Sequence, residues 1–446
     1  MWKIEPIVGE INGMKCKILF ELTNINDTLD CEIFISDSND EELVSITQNI
    51  KSEEKGFSDI IINFSEYGKY KLIWYINING DKLNKIYGYE HEIVIKERPD
   101  KMIVVSCDML EANVENNKSM WKIMEKELQN NDQIITMHLG DQAYMDGVFN
   151  KCLKLIKTGK YDDEFFINEF GQRYYDTWKN HIKILSNTMN INIWDDHEIK
   201  NNMLLNDESI SDDEKIVRGF AVEAYKKYQE SFHLDKQIIL TKYSWYKIIG
   251  DVLLIAFERT SENLDVQKAI NIIKELSECC EDLVKIVICF SGAPIPGPSG
   301  PYGTLYEKLV GDMDKFWKTE DMINLYNNLF EIVEEGKDVV VCGGDLHFGT
   351  YGIMEKRGLT TLKIPVMISS PITNQPTIDR WLASKGLKGN HKITDQIIFK
   401  TIKTKARRCY GVINFNDTPM SLHMEFSKVK MPKNIIKYLR TLISFA

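Results

Sequence analysis

The sequence predicts an α/β domain preceded by a smaller all-β domain. Up to residue 98 short extended stretches recur at regular spacing, the pattern of a small sandwich. Beyond Asp100 strands alternate with helical periodicity, the pattern of an α/β fold. Within that second part, four short polar strings each stand where an apolar run ends.

In the first part the extended stretches are residues 15–22, 32–36, 43–47, 58–64, 70–78 and 87–95. Turn residues separate them, among them Asn24, Asp27, Asp37, Ser38, Asn39 and Gly80-Asp81. An immunoglobulin-like sandwich is expected over residues 1–98, with Lys96-Glu97-Arg98-Pro99-Asp100 as the linker and the larger domain over 99–446. In the larger domain, apolar strands are expected at 102–105, 134–139, 191–193, 252–257, 284–290, 339–342, 366–369, 410–415 and 422–426. Helical periodicity marks 118–128, 163–185, 211–232, 265–280 and 321–334. There is no internal repeat. Residues 433–445 read as a short basic amphipathic helix that packs on the domain surface.

With 446 residues, 43% hydrophobic and 27% charged, the chain has the balance of a globular protein with a large core. The net charge of −11 argues against nucleic acid as a stable partner. The start Met1-Trp2-Lys3-Ile4-Glu5-Pro6 lacks the pattern of a signal peptide, and no apolar run has the length of a membrane span. The nine cysteines are odd in number and scattered, with Cys152, Cys279, Cys280, Cys289 and Cys342 inside apolar strands or a helix. They suggest no disulfide framework, so a reducing, cytoplasmic location is expected. Nothing in the sequence specifies an oligomeric state.

The four strings are Ser106-Cys107-Asp108, Gly140-Asp141-Gln142-Ala143-Tyr144, Trp194-Asp195-Asp196-His197-Glu198 and Gly343-Gly344-Asp345-Leu346-His347. In an open sheet with helical crossovers, ligands collect at the carboxyl ends of the strands. Carboxylates, imidazoles, a phenol and a thiol gathered there have the composition of a site for two metal ions. An aspartate after a glycine, as in Gly140-Asp141, can bridge two cations, and the Tyr144 phenolate suits a trivalent ion. The plainer reading makes Asp141 a helix cap and Tyr144 a core residue. Asp195-Asp196-His197-Glu198 places four ionisable residues directly after a strand, where burial demands partners. There a carboxylate can hold a metal while His197 serves as general acid. In extended backbone, residues two apart share a side, so Asp345 and His347 are expected to reach one metal pair together. Cys107 is either a small buried hydrophobe or a thiolate ligand. Arg259, at the end of strand 252–257, has the position of a phosphate clamp, with a surface ion pair as the alternative. His138 reads as core, and His91, His181, His233, His391 and His423 as structural or surface residues.

In order and spacing, these strings resemble the metallophosphoesterase superfamily and, within it, the alkaline phosphatase D-like (PhoD-like) branch. The resemblance covers residues 102–426 and rests on Gly140-Asp141-x-x-Tyr144, Trp194-Asp195-Asp196-His197-Glu198 and Gly344-Asp345-x-His347. It implies two packed mixed sheets flanked by helices, a dinuclear site at the strand ends, and an all-β domain in front. Carried over by position, the resemblance makes Cys107, Asp141, Tyr144, Asp196, Asp345 and His347 the metal ligands. Asp141 is then the bridging residue, His197 the catalytic histidine, and Arg259 a substrate-facing arginine. The similar enzymes use Fe³⁺ with Ca²⁺, and the wider superfamily Mn²⁺, Zn²⁺ or Mg²⁺. Two departures favour the iron and calcium set here. Ser106-Cys107-Asp108 stands where the superfamily has Asp-x-His. The loop after strand 284–290, Ser291-Gly292-Ala293-Pro294-Ile295-Pro296-Gly297-Pro298, carries no histidine. The expected function is therefore a metal-dependent hydrolase of small phosphate esters, monoester or diester, using a metal-bound hydroxide. The alternative is a non-catalytic metal- or partner-binding protein on the same scaffold.

Overall fold

A computed structural model describes residues 2–22, 29–37, 42–50, 57–78, 85–109, 119–129, 131–203, 208–234, 237–239, 243–258, 265–310, 317–373 and 377–428. The first part forms seven strands: β1 (Trp2–Asn12), β2 (Lys15–Leu22), β3 (Leu29–Ser36), β4 (Glu42–Ile50), β5 (Phe57–Asn63), β6 (Gly68–Ile78) and β7 (Lys85–Ile95). Period-two patterning decides their faces: Tyr70, Leu72 and Trp74 of β6 are buried while the alternate residues Lys71, Ile73 and Tyr75 are half-buried. The strands pair as β1-β2-β5 and β4-β3-β6-β7, and the two sheets share a core in which Phe20 meets Trp74 edge-on. Strand β1 is not marked by the sequence reading. It contains Pro6, which a sheet tolerates at an edge, and β1 is an edge strand with irregular register beside that proline.

The second part continues with β8 (Lys101–Val105), α1 (Met120–Met124), β9 (Ile134–Leu139), α2 (Asp146–Lys157), α3 (Asp163–Trp178), α4 (Ile182–Leu185) and β10 (Met189–Ile193). Next come α5 (Asp212–Tyr228), β11 (Gln237–Ile239), β12 (Ser244–Ile249), β13 (Val252–Phe257), α6 (Val266–Cys279), β14 (Lys285–Phe290), α7 (Gly300–Val310) and α8 (Thr319–Glu334). The chain closes with β15 (Asp338–Gly343), β16 (Gly349–Lys356), β17 (Leu362–Ile368), α9 (Ile378–Gly386), β18 (Asn390–Lys392), β19 (Ile397–Lys405), β20 (Cys409–Asn414) and β21 (Ser421–Phe426). These strands make two mixed sheets, β10-β9-β8-β20-β21 and β11-β12-β13-β14-β15-β17-β16-β19-β18. The runs β10-β9-β8 and β13-β14-β15-β17 are parallel and the remaining pairs antiparallel. Strands β8, β9, β10, β13 and β14 are buried at every position, as expected of parallel strands covered on both faces.

The helical stretch expected over 163–185 is broken. Helix α3 ends at Trp178, and the turn that follows buries His181 against Trp121, ring centroids 4.0 Å apart. The stretch at 118–128 becomes α1 and a 3-10 turn over Glu125–Gln129, with residue 118 outside the described residues. Arg259, the tail 433–445 and the turn residues Asn24, Asp27, Ser38, Asn39, Gly80 and Asp81 also lie outside them.

One core cluster joins the sandwich to both mixed sheets: Val8, Phe20 and Trp74 belong with Met137, Ile191, Val287 and Trp245. Polar ties cross the same seam. Asn190 Nδ2 donates to the Val8 carbonyl at 2.7 Å, and buried Lys247 pairs with buried Glu10. All nine cysteines are free thiols, and no helix among the described residues is long and apolar enough to cross a membrane.

Candidate metal centre

The four strings meet because the strands before them end at one level. In the β8-β9-β10 run, Val105 stands opposite His138 and Ile193 opposite Leu139. The next residues are tied across: Cys107 N–H donates to the Gly140 carbonyl at 3.3 Å and Asp108 N–H to the Asp141 carbonyl at 2.8 Å. Met145 N–H reaches the His197 carbonyl at 2.9 Å. The other sheet enters through β15 and β17. Ser106 Oγ donates to the Ser369 carbonyl at 3.0 Å, and Ser370 Oγ accepts the His347 N–H at 2.9 Å. Gly344 sits where the sheet ends converge; a Cβ there would lie 2.7 Å from the Leu139 carbonyl and 2.9 Å from that of Ser291.

Backbone strain singles out the same place. Among the described residues, five non-glycine residues have positive φ: Cys107 (59°), Asp141 (55°), Asn202 (59°), Asp345 (60°) and His347 (53°). Four of these are candidates from the sequence. Each such residue costs about 1–3 kcal/mol and persists only where its surroundings enforce it. The strain also corrects one expectation. Asp345 and His347 do not share a side by extended alternation. They are left-handed residues of a tight turn, closed by Leu346 N–H to the Gly344 carbonyl at 2.8 Å, with Leu346 buried between them.

Asp141 is the hub. Cys107 Sγ lies 3.3 Å and Tyr144 Oη 3.2 Å from its Oδ2, and Tyr144 Oη is 2.9 Å from His347 Nε2. Three groups of ligand-type atoms, each within 4.8 Å of one another, share it: Cys107 with His347, Asp196 with His197, and Asp195 with Asp345. Asp141 does not cap α2, whose N-cap is Met145. Tyr144 is buried, but its hydroxyl reaches into the site and its ring lies 4.1 Å from that of His197. His197 Nδ1 is 2.7 Å from Asp146 Oδ2.

Burial dominates the electrostatics. It pushes the Asp141 carboxyl upward, with His197 opposing and Asp196 and Asp345 adding to the rise. Burial, then Asp141 and Asp345, hold the Cys107 thiol well above its ordinary range. For His197 burial acts against the charge, yet Asp141, Asp146 and Asp196 together raise the imidazole to about 10. A bound cation offsets the cost of ionising buried carboxylates and a buried thiol. The donor set fits such a group: a thiol, a phenol, imidazoles and carboxylates gather around Asp141. Asp141 Oδ1 is buried with no hydrogen-bond partner, the condition of an atom built for a metal.

Cys107, Asp141, Tyr144, Asp196, His197, Asp345 and His347 are thus brought together, while Arg259 is outside the described residues. Sequence reasoning missed five neighbours. Asp195 and Glu198 stood inside a quoted string without a role, and Asp146 lies two residues past Tyr144. Asn202 N–H donates to Asp196 Oδ2, and Arg173 Nε donates to the Tyr144 carbonyl at 2.9 Å. Arg173 carries no local signal, since helix α3 reaches the site only through the fold, while Asn202 belongs to the turn that continues the Asp195–Glu198 string.

No family model and no curated protein matches this chain. Solved structures do match its fold. A structure of PhoD superposes with a TM-score of 0.59 at 10% identity, covering 95% of this chain and 90% of that one. Purple acid phosphatase PPD1 from yellow lupin (Lupinus luteus) seeds gives 0.58 at 10% identity, over 96% and 72%. The chain shares the fold of these two structures, with mixed sheets, flanking helices and β-strands in front.

Proposed function

We propose that this chain is a metal-dependent phosphoric ester hydrolase of the alkaline phosphatase D-like kind. The observation that carries the reading is the convergence of three ligand-type groups on Asp141, at strained strand-end residues of a metallophosphoesterase-like fold. One of the two similar structures is a phosphatase by name. Cys107, Asp141, Tyr144, Asp196, Asp345 and His347 would hold Fe³⁺ with Ca²⁺, or otherwise Mn²⁺, Zn²⁺ or Mg²⁺. When bound, the cations supply positive charge for the phosphoryl oxygens and acidity for the attacking water. His197 holds a proton on Nε2 for the leaving oxygen while Asp146 fixes the ring through Nδ1. Arg259 clamps a phosphoryl oxygen of a small phosphate ester.

Metal analysis of the purified protein, followed by assays on p-nitrophenyl phosphate and bis(p-nitrophenyl) phosphate, tests the reading. Bound metal with hydrolysis of at least one ester is expected. Bound metal without hydrolysis favours a non-catalytic metal-binding protein, and absence of both overturns the metal centre.

A further inference from the structure

Glu198 is fully buried beside the candidate centre, and its carboxyl group accepts four hydrogen bonds. Oε2 accepts from the Asp141 N–H at 3.2 Å and the Asp195 N–H at 3.0 Å. Oε1 accepts from the Gln142 N–H at 2.8 Å and from Gln229 Nε2 at 3.2 Å. The donors come from three separate segments: the loop after β9, the loop after β10 and the end of α5. The consecutive N–H groups of Asp141 and Gln142 follow two left-handed residues, Gly140 at φ 83° and Asp141 at 55°. These two successive N–H groups close on the two oxygens of one buried carboxyl group.

Without an acceptor there, the Asp141 and Gln142 N–H groups lose their partner, and the left-handed backbone at Asp141 keeps only its carbonyl-side ties to Cys107 and Asp108. We infer that Glu198 is a positioning residue of the candidate metal centre: it clamps the loops after β9 and β10 and holds the backbone that aims the Asp141 carboxyl into the cluster of ligand-type side chains. This rests on the hydrolase reading for its purpose, though not for its geometry. Glu198 would touch neither metal nor substrate.

Glu198→Gln keeps the shape but replaces one acceptor oxygen with an amide donor that faces N–H donors. The metal-free full chain, shown to be folded by a cooperative melt, is titrated calorimetrically with Mn²⁺ and assayed with bis(p-nitrophenyl) phosphate. The expected result is Mn²⁺ affinity weaker by about 10–100-fold. A parallel fall in kcat is expected, with KM within about threefold of wild type. A purely structural role would lower the melting temperature and leave the affinity of the folded protein unchanged, which overturns the proposal. If Glu198→Gln does not fold, Gln229→Met removes one donor and keeps the carboxyl group. About tenfold weaker Mn²⁺ binding is then expected, and unchanged binding overturns the proposal. Wild-type protein that takes up Mn²⁺ but cleaves no ester defeats the hydrolase reading, while the affinity comparison still decides the role of Glu198. Wild-type protein that takes up no Mn²⁺ defeats both.

Discussion

His91 is a neutral imidazole enclosed in the N-terminal sandwich, stacked on Trp74, with no hydrogen-bond partner on either ring nitrogen. Burial lowers it from 6.5 to about 3. The unfolded chain takes up this proton below 6.5 and the folded chain only near 3. Stability is therefore full above pH 6.5 and falls as pH drops toward 3, by at most about 1.4 kcal/mol per unit for this group. His91→Phe should flatten part of the acid loss, measured as the difference in urea-unfolding free energy between pH 7.5 and 5; an unchanged difference refutes the assignment. At the site, His197→Ala should lower turnover by about 10²–10⁴ and leave metal content intact. Loss of metal in that variant would make His197 a ligand instead. Cys107 and Tyr144 carry the iron assignment, because thiolate and phenolate bound to Fe³⁺ absorb visible light. Protein purified aerobically should be coloured, Tyr144→Phe should shift the band and Cys107→Ser should weaken it. A colourless, active enzyme containing Zn²⁺ or Mn²⁺ alone would exclude iron.

At the scale of elements, the candidate site depends on how strands stop. A parallel strand buried on both faces must leave the sheet abruptly, and here it does so through glycine and left-handed residues that turn polar side chains inward. Gly140 is the sharpest case: its φ is 83°, and a Cβ would lie 2.4 Å from that of Asp195. Gly140→Ala should destabilise the protein by more than the roughly 1–3 kcal/mol of backbone strain alone. Gly147→Ala, in the first turn of α2 with nothing within 4 Å of the new methyl, should stabilise by up to about 1 kcal/mol. Denaturant midpoints of the two variants moving in the same direction would contradict this account.

For the whole molecule, the sandwich and the mixed sheets are held by one core rather than by a wet interface. Removing residues 1–98 would strip Val8 and Phe20 from a cluster shared with Met137, Ile191 and Trp245, and leave Lys247 buried without Glu10. An orphaned buried charge alone costs about 3–5 kcal/mol, against about 5–15 kcal/mol for a typical domain. A chain beginning at Asp100 should therefore lack a cooperative unfolding transition and near-ultraviolet circular dichroism. A shortened chain that folds and binds metal would establish residues 99–446 as an independent unit.

The sequence by itself determined what depends on near neighbours along the chain. Alternation such as Tyr70, Leu72, Trp74 marks a strand because side chains repeat every two residues. Gly140-Asp141-x-x-Tyr144 marks a strand end because an apolar run stops beside it. Strand β1, with Pro6 in it, was illegible because only its place at a sheet edge makes the proline tolerable. The break after Trp178 was illegible because it serves the packing of His181 on Trp121. At the site, the residue types could be read but not their division of labour. Asp195, Asp196 and Glu198 are alike on paper. Sheet order gives one a place beside Asp345, the next a place beside His197, and turns the third away to bind the backbone of Asp141. Asp345 lies about 150 residues from Asp195, and Asp141 lies 57 residues from Glu198, so only the tertiary structure, which stacks strand ends from two sheets at one level, selects among them.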